Sequence, residues 1–168
     1  MATSTSQPRD NTSQVADQPH ARMGLALVRL TIGAQFVWVF FENLGKGLYT
    51  PSNYAGLIQN YIENGQAPAV WKSVMALTAR HASMAAPLQG LTEISVGVLL
   101  VLGLFTRPAA LVGFAFLASL WVSEWGTSWI WELLVPVLAS LALAIGGAGR
   151  TWGVDSFLAR RRPSSLLW

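Results

Sequence analysis

A carboxylate inside an apolar run needs a partner, and Glu93 lies in such a run. In "LTEISVGVLLVLGLF" it follows Gln89 by one helical turn and has Thr92 beside it. Placing a charge at membrane depth costs about 2.5–3.5 kcal/mol, so Glu93 calls for a partner, a proton or a water-filled cavity. A second acid stands in "WVFFENLGKG", where Glu42 precedes Lys46 by one turn. At about 100° per residue, Gln35, Trp38, Glu42 and Lys46 share a stripe about 80° wide. Lys46 can pair with Glu42 along that helix or with Glu93 across helices. Glu132 precedes Pro136 by four residues. Proline has no N–H, so the carbonyl of residue 132 loses its usual donor and can turn to a ligand or a neighbouring helix.

The chemistry these groups suit is proton exchange beside a polar head group. Glu93, Lys46 and Glu42 are the candidate catalytic residues. Gln35, Trp38, Gln89, Trp125 and Glu132 are the candidate cofactor-binding residues. Each has a plainer reading as well. Glu42 and Lys46 also suit a solvated pair at a membrane boundary. Trp121, Trp125, Trp129 and Trp131 suit an interfacial belt. Glu93 also suits a protonated carboxyl bonded to a neighbouring helix.

The elements that would hold these groups are apolar helices. Hydrophobic residues make up 52% of the 168 positions and charged residues only 11%, too few to coat a soluble surface. The mean hydropathy of +0.42 agrees. Four runs approach the length that crosses about 30 Å of hydrocarbon. They cover residues 23–46, 84–105, a stretch from "TRPAALVGF" to Trp125, and 128–148 closed by "GGAG". The fold class is therefore all-α integral membrane: a four-transmembrane-helix bundle with short amphipathic helices on the outer side between helices 1 and 2. Tyr54, Leu57, Ile58, Tyr61 and Ile62 follow the spacing of one such amphipathic helix, and Val70, Trp71, Val74 and Leu77 that of another. Residues 1–21 read as a disordered cytoplasmic tail, 22–155 as the membrane domain, and 156–168 as a basic cytoplasmic tail.

Charge sets the expected orientation. With the N-terminus inside, Arg9, Arg22, Arg107, Arg150, Arg160, Arg161 and Arg162 fall on the inner side, against Lys46, Lys72 and Arg80 outside. That bias places both termini in the cytoplasm of a multi-pass cell-membrane protein. The net charge of +3 is a matter of topology and gives no reason to expect nucleic acid as a partner. Arg29 and Arg107, near the inner surface, are expected to snorkel to lipid phosphates. The absence of cysteine excludes thiolate-bound iron–sulfur clusters and a thiol nucleophile. Both histidines, His20 and His81, lie outside the long apolar runs, so no haem or metal is inferred.

Three segments carry a resemblance to a known family. "RLTIGAQFVWVFFENLGKG", "TEISVGVLLVLGLFTRPAALVG" and "GGAGRTWGVDSFL" resemble, in order and spacing, the motifs of the DoxX/DoxD membrane proteins. Arg29, Lys46, Glu93, Arg107, Arg150 and Asp155 are the positions that fit the family pattern. The resemblance implies a four-helix membrane protein. It also implies a membrane subunit of a quinone-linked redox complex, of which the DoxD branch is the thiosulfate:quinone oxidoreductase type. The expected partners are the lipid bilayer, redox protein subunits and a quinone. The alternative is a non-catalytic anchor or assembly subunit of a larger respiratory complex. "SEWGTSW" departs from the family by lacking an expected asparagine.

Overall fold

The structure, a computed structural model, describes residues 19–162 and residue 165. Among the described residues seven α-helices form in chain order: α1 (Pro19–Gly45), α2 (Pro51–Asn64), α3 (Ala69–Arg80), α4 (Ala82–Leu102), α5 (Thr106–Ser123), α6 (Ile130–Gly146) and α7 (Asp155–Arg161). A single 3₁₀ turn, Ala148–Arg150, links α6 to α7. The first helix starts ahead of the apolar run, at Pro19, because proline at the first helical position gives up only an N–H that would be unpaired anyway. Pro19 to Ala21 are thus helical, and the rest of the tail expected over 1–21 lies outside the described residues. The expected tail over 156–168 is likewise helical at its start.

Among the described residues three helices, α1, α4 and α5, are long and apolar enough to cross a membrane. The fourth apolar helix, α6, has 17 residues, a rise of about 26 Å. The bundle itself buries only 28–33% of the most apolar stretch of α1, α4 and α5. Leu27, Leu91, Leu111, Val135 and Ile145 remain outward-facing, so lipid must cover what the chain does not.

One core joins the four long helices through Phe36, Val96, Leu100, Ala110, Leu117 and Leu143. At the crossing of α1 and α4 two glycines meet. A Cβ on Gly97 would stand 2.9 Å from the Val37 nitrogen, and one on Gly33 2.8 Å from that of Val101. Only hydrogen at both positions permits backbones this close.

The α2–α3 hairpin lies across one end of the bundle and has its own core of Tyr54, Ile58, Met75 and Ala86. Its tip is built from the chain itself: Lys72 donates from Nζ to the carbonyls of Ile62 (2.7 Å) and Gly65 (2.8 Å), neutralising the C-terminus of α2. The tip docks on the α5–α6 turn, where the Gln66 N–H donates to the Trp125 carbonyl at 2.6 Å. On α3, Met75 is buried and Trp71 packs beside it, whereas Val70, Val74 and Leu77 face outward.

The opposite end carries the second buried carboxylate. Asp155, wholly buried, accepts from the Phe105 and Thr106 N–H groups at 2.8 and 2.9 Å, so α7 supplies the cap of α5. Arg29 does not snorkel. It is 0% exposed and donates to the carbonyls of Leu100 (2.7 Å) and Trp152 (3.0 Å). A guanidinium that ties the end of α4 to the loop before α7 has four carbonyls within reach and no need of phosphate.

Candidate functional site: a buried carboxylate beside a cavity

At the hairpin end, Glu93 is 1% exposed and lies inside α4. Three side chains from three elements donate to it. Gln89, one turn earlier, gives Nε2 to Oε1 at 2.8 Å. Asn43, in the last turn of α1, gives Nδ2 to Oε2 at 3.2 Å. Tyr49, in the turn before α2, gives its hydroxyl to Oε2 at 2.5 Å. That turn reverses at Gly47, whose φ of 66° is left-handed and favours glycine. The Tyr49 ring then stacks on Phe40, with centroids 5.4 Å apart, and lies over Gly90, where a Cβ would come within 3.1 Å of it.

The carboxylate opens on a cavity of about 190 Å³ between α1, α2, α4, α5 and α6. Asn43 and Gln89 stand beside Glu93, Gln35 lines the same cavity, and Phe36, Leu117 and Leu133 are its apolar lining. A second carboxyl, Glu124, lines the same cavity and accepts from the Tyr61 hydroxyl at 2.8 Å and from Ser128 at 2.7 Å. The two tyrosines therefore each clip the hairpin to an acid. Burial, and then the carboxyl each one donates to, push the Tyr49 and Tyr61 phenols well above their usual range. Both stay hydrogen-bond donors through the physiological range. Tyr54 is shifted the same way, first by burial and then by Glu93.

The residues expected at the site fall into two groups. Glu93, Gln89 and Gln35 line the cavity together. Glu42 and Lys46 form an ion pair of 2.6 Å with each other, their side chains 48% and 65% exposed, and neither lines the cavity. Trp38, 74% exposed, borders instead a separate apolar groove of about 900 Å³ between α1 and α4. Trp125 stacks on Trp121 at 6.1 Å with half its surface exposed, and Glu132 is exposed at the start of α6. The stripe divides because the cavity faces the Gln35 and Asn43 side of α1, while Trp38 and Glu42 turn outward.

Sequence reasoning missed Asn43, Tyr49, Tyr61 and Glu124. Asn43 left a signal, since it sits four residues before Gly47 and one helical turn after Val39, on the side of α1 that also carries Gln35. Tyr61 and Glu124 left none, because they meet only when the hairpin folds back.

An all-helical bundle with three spanning-length apolar helices and a fully buried acid at a cavity defines a helical membrane protein. The DoxX family model matches residues 24–124, more than half of the chain, and the protein belongs to the DoxX family. The match runs from α1 to the end of α5 and includes Arg29, Glu93 and Glu124; α6 and Asp155 lie beyond it. No curated protein and no solved structure matches the chain.

Proposed function

We propose that this DoxX-family protein is the membrane subunit of a quinone-linked redox complex and that it holds a quinone head group in the cavity beside Glu93. In this reading all four long helices span the membrane, the hairpin faces outward and both termini are cytoplasmic. The arginine bias of the inner segments supports that orientation. The observation that carries the function is the Glu93 carboxylate, buried at a cavity wall and held by three side-chain donors.

The residues present suit a quinone ring. Phe36, Leu117 and Leu133 offer apolar walls, and Gln35, Asn43 and Gln89 offer amide N–H groups to ring carbonyls. A bound quinone supplies the electron-accepting chemistry, with electrons from a partner redox subunit. Glu93 holds or releases a proton at its carboxyl, and its donors keep the carboxyl in one orientation. Tyr49 and Tyr61 keep the hairpin closed over the cavity and exclude water. In a thiosulfate:quinone oxidoreductase type of complex the sulfur anion would bind elsewhere, because the charged residues of the cavity wall are the carboxylates Glu93 and Glu124.

The test is quinone binding to the full chain in lipid nanodiscs, read by tryptophan quenching with menaquinone and ubiquinone. Saturable binding that weakens about tenfold in Glu93→Gln is the expected result. No binding of either quinone, alone or with co-purified partners, overturns the reading. The anchor reading has one observation in its favour, the α1–α4 groove of about 900 Å³, wide and apolar enough to seat another chain's helix. It wins if Glu93→Gln keeps full complex activity while Val98→Trp in that groove abolishes assembly.

A further inference from the structure

The cavity beside Glu93 has a neighbour. A cleft of about 320 Å³ lies between α3, α4 and α5 beneath the hairpin, with Tyr54, Ile58 and Tyr61 of α2 at its inner side. Its α4 side is Leu88 and Thr92, its α5 side Phe116 and Ser119, and Val74 and Thr78 of α3 stand over it. Tyr61, Gln89, Phe116 and Leu120 line both the cleft and the Glu93 cavity, so one layer of side chains separates the two. One of those four, Gln89, itself holds Glu93.

The cleft's mouth lies on a surface made for lipid. The two helices of the hairpin have opposite free faces. On α2 the exposed residues are Gln59, Asn60, Glu63 and Asn64, joined in pairs by hydrogen bonds of 2.7 Å. On α3 they are Ala69, Val70, Ser73, Val74, Leu77 and, at its end, Arg80, of which Val70, Val74 and Leu77 form an apolar ridge 81%, 45% and 57% exposed. The α3 ridge continues into Met84, Leu88 and Leu91 of the spanning helix α4, which are 73%, 62% and 62% exposed. Because α4 meets hydrocarbon along that line, a helix that prolongs the same apolar ridge meets it too. The hairpin is therefore tilted, with α2 toward water and α3 in the leaflet.

We infer that the cleft between α3, α4 and α5 is a lateral portal, through which an apolar molecule dissolved in the leaflet reaches the Glu93 cavity while its chain stays in the cleft. The lipid-soluble ligand it suits has a small polar head and a long hydrocarbon tail. The head fits about 190 Å³ beside amides and carboxyls, and the tail lies along Leu88, Phe116 and Val74. For a quinone tail the inference rests on the function proposed above; the portal itself does not.

Two measurements on the full chain in nanodiscs decide it. The protein has no cysteine, so Ser119→Cys and Thr92→Cys each accept one nitroxide label without background. Both labels should relax with oxygen, which dissolves in lipid, and resist a water-soluble nickel chelate. Labels that respond to the chelate, or to neither reagent, overturn the portal. The second measurement fills the cleft from either wall with Ser119→Trp or Thr92→Trp, using whichever variant keeps the wild-type unfolding midpoint. Menaquinone affinity should fall about tenfold, while tail-less menadione binds within about twofold of wild type. Equal losses for both probes, or a loss for neither, count against a tail in the cleft. If the wild type binds neither probe, the quinone reading falls, and the nitroxide result alone decides the portal.

Discussion

The bundle buries a carboxylate at each end, and the two are held in different ways. Asp155 accepts from two backbone N–H groups at the start of α5, and the donors cannot move without unwinding that helix. Gly149 leaves no space beside it, because a Cβ there would collide with the Asp155 carboxyl and the Thr106 hydroxyl. Glu93 accepts from the side chains of Gln89, Asn43 and Tyr49, and it faces a cavity. A carboxylate fixed by backbone in a packed site builds structure. One fixed by side chains at a cavity can exchange its partners for a ligand. Both carboxylates are buried to a like degree, so the kind of donor and the space alongside separate the two roles.

The largest effect should come from breaking the packed end. Asp155→Ala takes the acceptor from the buried Thr106 N–H and the part-buried Phe105 N–H and removes the carboxylate whose charge acts on Arg29. It should cost about 3 kcal/mol or more, read as a large fall in the thermal unfolding midpoint in detergent. If Asp155→Ala unfolds like the wild type, that end is not structural and the contrast is lost. Gly97→Ala comes next. Its methyl would press on the Val37 nitrogen and Cγ2 at 2.9 and 2.8 Å, and overpacking of this kind costs about 1–3 kcal/mol. The same assay, with Gly45→Ala as a control where the added Cβ meets open space, checks it.

How far the sequence foretold this contrast depends on which contacts are local. The four apolar helices and both hairpin helices were legible, because hydropathy and helical spacing belong to single segments. Glu93 was legible as a buried acid with Gln89 as its neighbour, since both lie on one face of α4. The fate of Glu42 and Lys46 was not. A stripe about 80° wide leaves open which edge of it faces the partner helix. The Gly33–Gly97 crossing turns the Asn43 edge of α1 inward and leaves Trp38 outside. Arg29 was misjudged for a related reason: its carbonyl partners belong to α4 and to the loop before α7, far away in the chain. On α3 the spacing found the helix but not its buried side. Val70, Val74 and Leu77 form an apolar face as good as any core face, yet they point outward, where lipid can replace protein.

At the exchangeable end the expected losses of stability are smaller. Glu93→Gln keeps the shape of the side chain and an acceptor for the Tyr49 hydroxyl, but it turns one acceptor oxygen into a donor. About 1 kcal/mol is the expected loss, less than for Asp155→Ala, and the unfolding midpoints of the two variants compare them directly. A larger loss for Glu93→Gln than for Asp155→Ala would reverse the assignment of roles. Alkaline pH tests the same end through Tyr49 and Tyr61. Their phenols titrate higher in the folded protein than the usual value of 10.0, so the unfolded chain loses those protons first. The stability they give is complete below pH 10 and declines as pH rises beyond it. The wild-type unfolding midpoint should therefore fall above that pH, and fall less in Tyr61→Phe.

The smallest effect belongs to the exposed ion pair on α1. Lys46 and Glu42 lie close, but both side chains stand largely in solvent and neither touches the cavity. Water and salt screen such a pair, and holding two long side chains in one geometry costs entropy that offsets the attraction. Lys46→Ala should leave the unfolding midpoint unchanged at about 0.15 M salt, where exposed charges are screened beyond about 8 Å. It should also leave quinone affinity unchanged, whereas Asn43→Ala, one position beyond Glu42, should weaken it by removing a donor to Glu93. The opposite ranking, with Lys46 mattering more than Asn43, would mean that the working edge of α1 is the exposed one. The site would then lie in the α1–α4 groove beside Trp38 and Glu42, and Glu93 would join Asp155 as a structural acid.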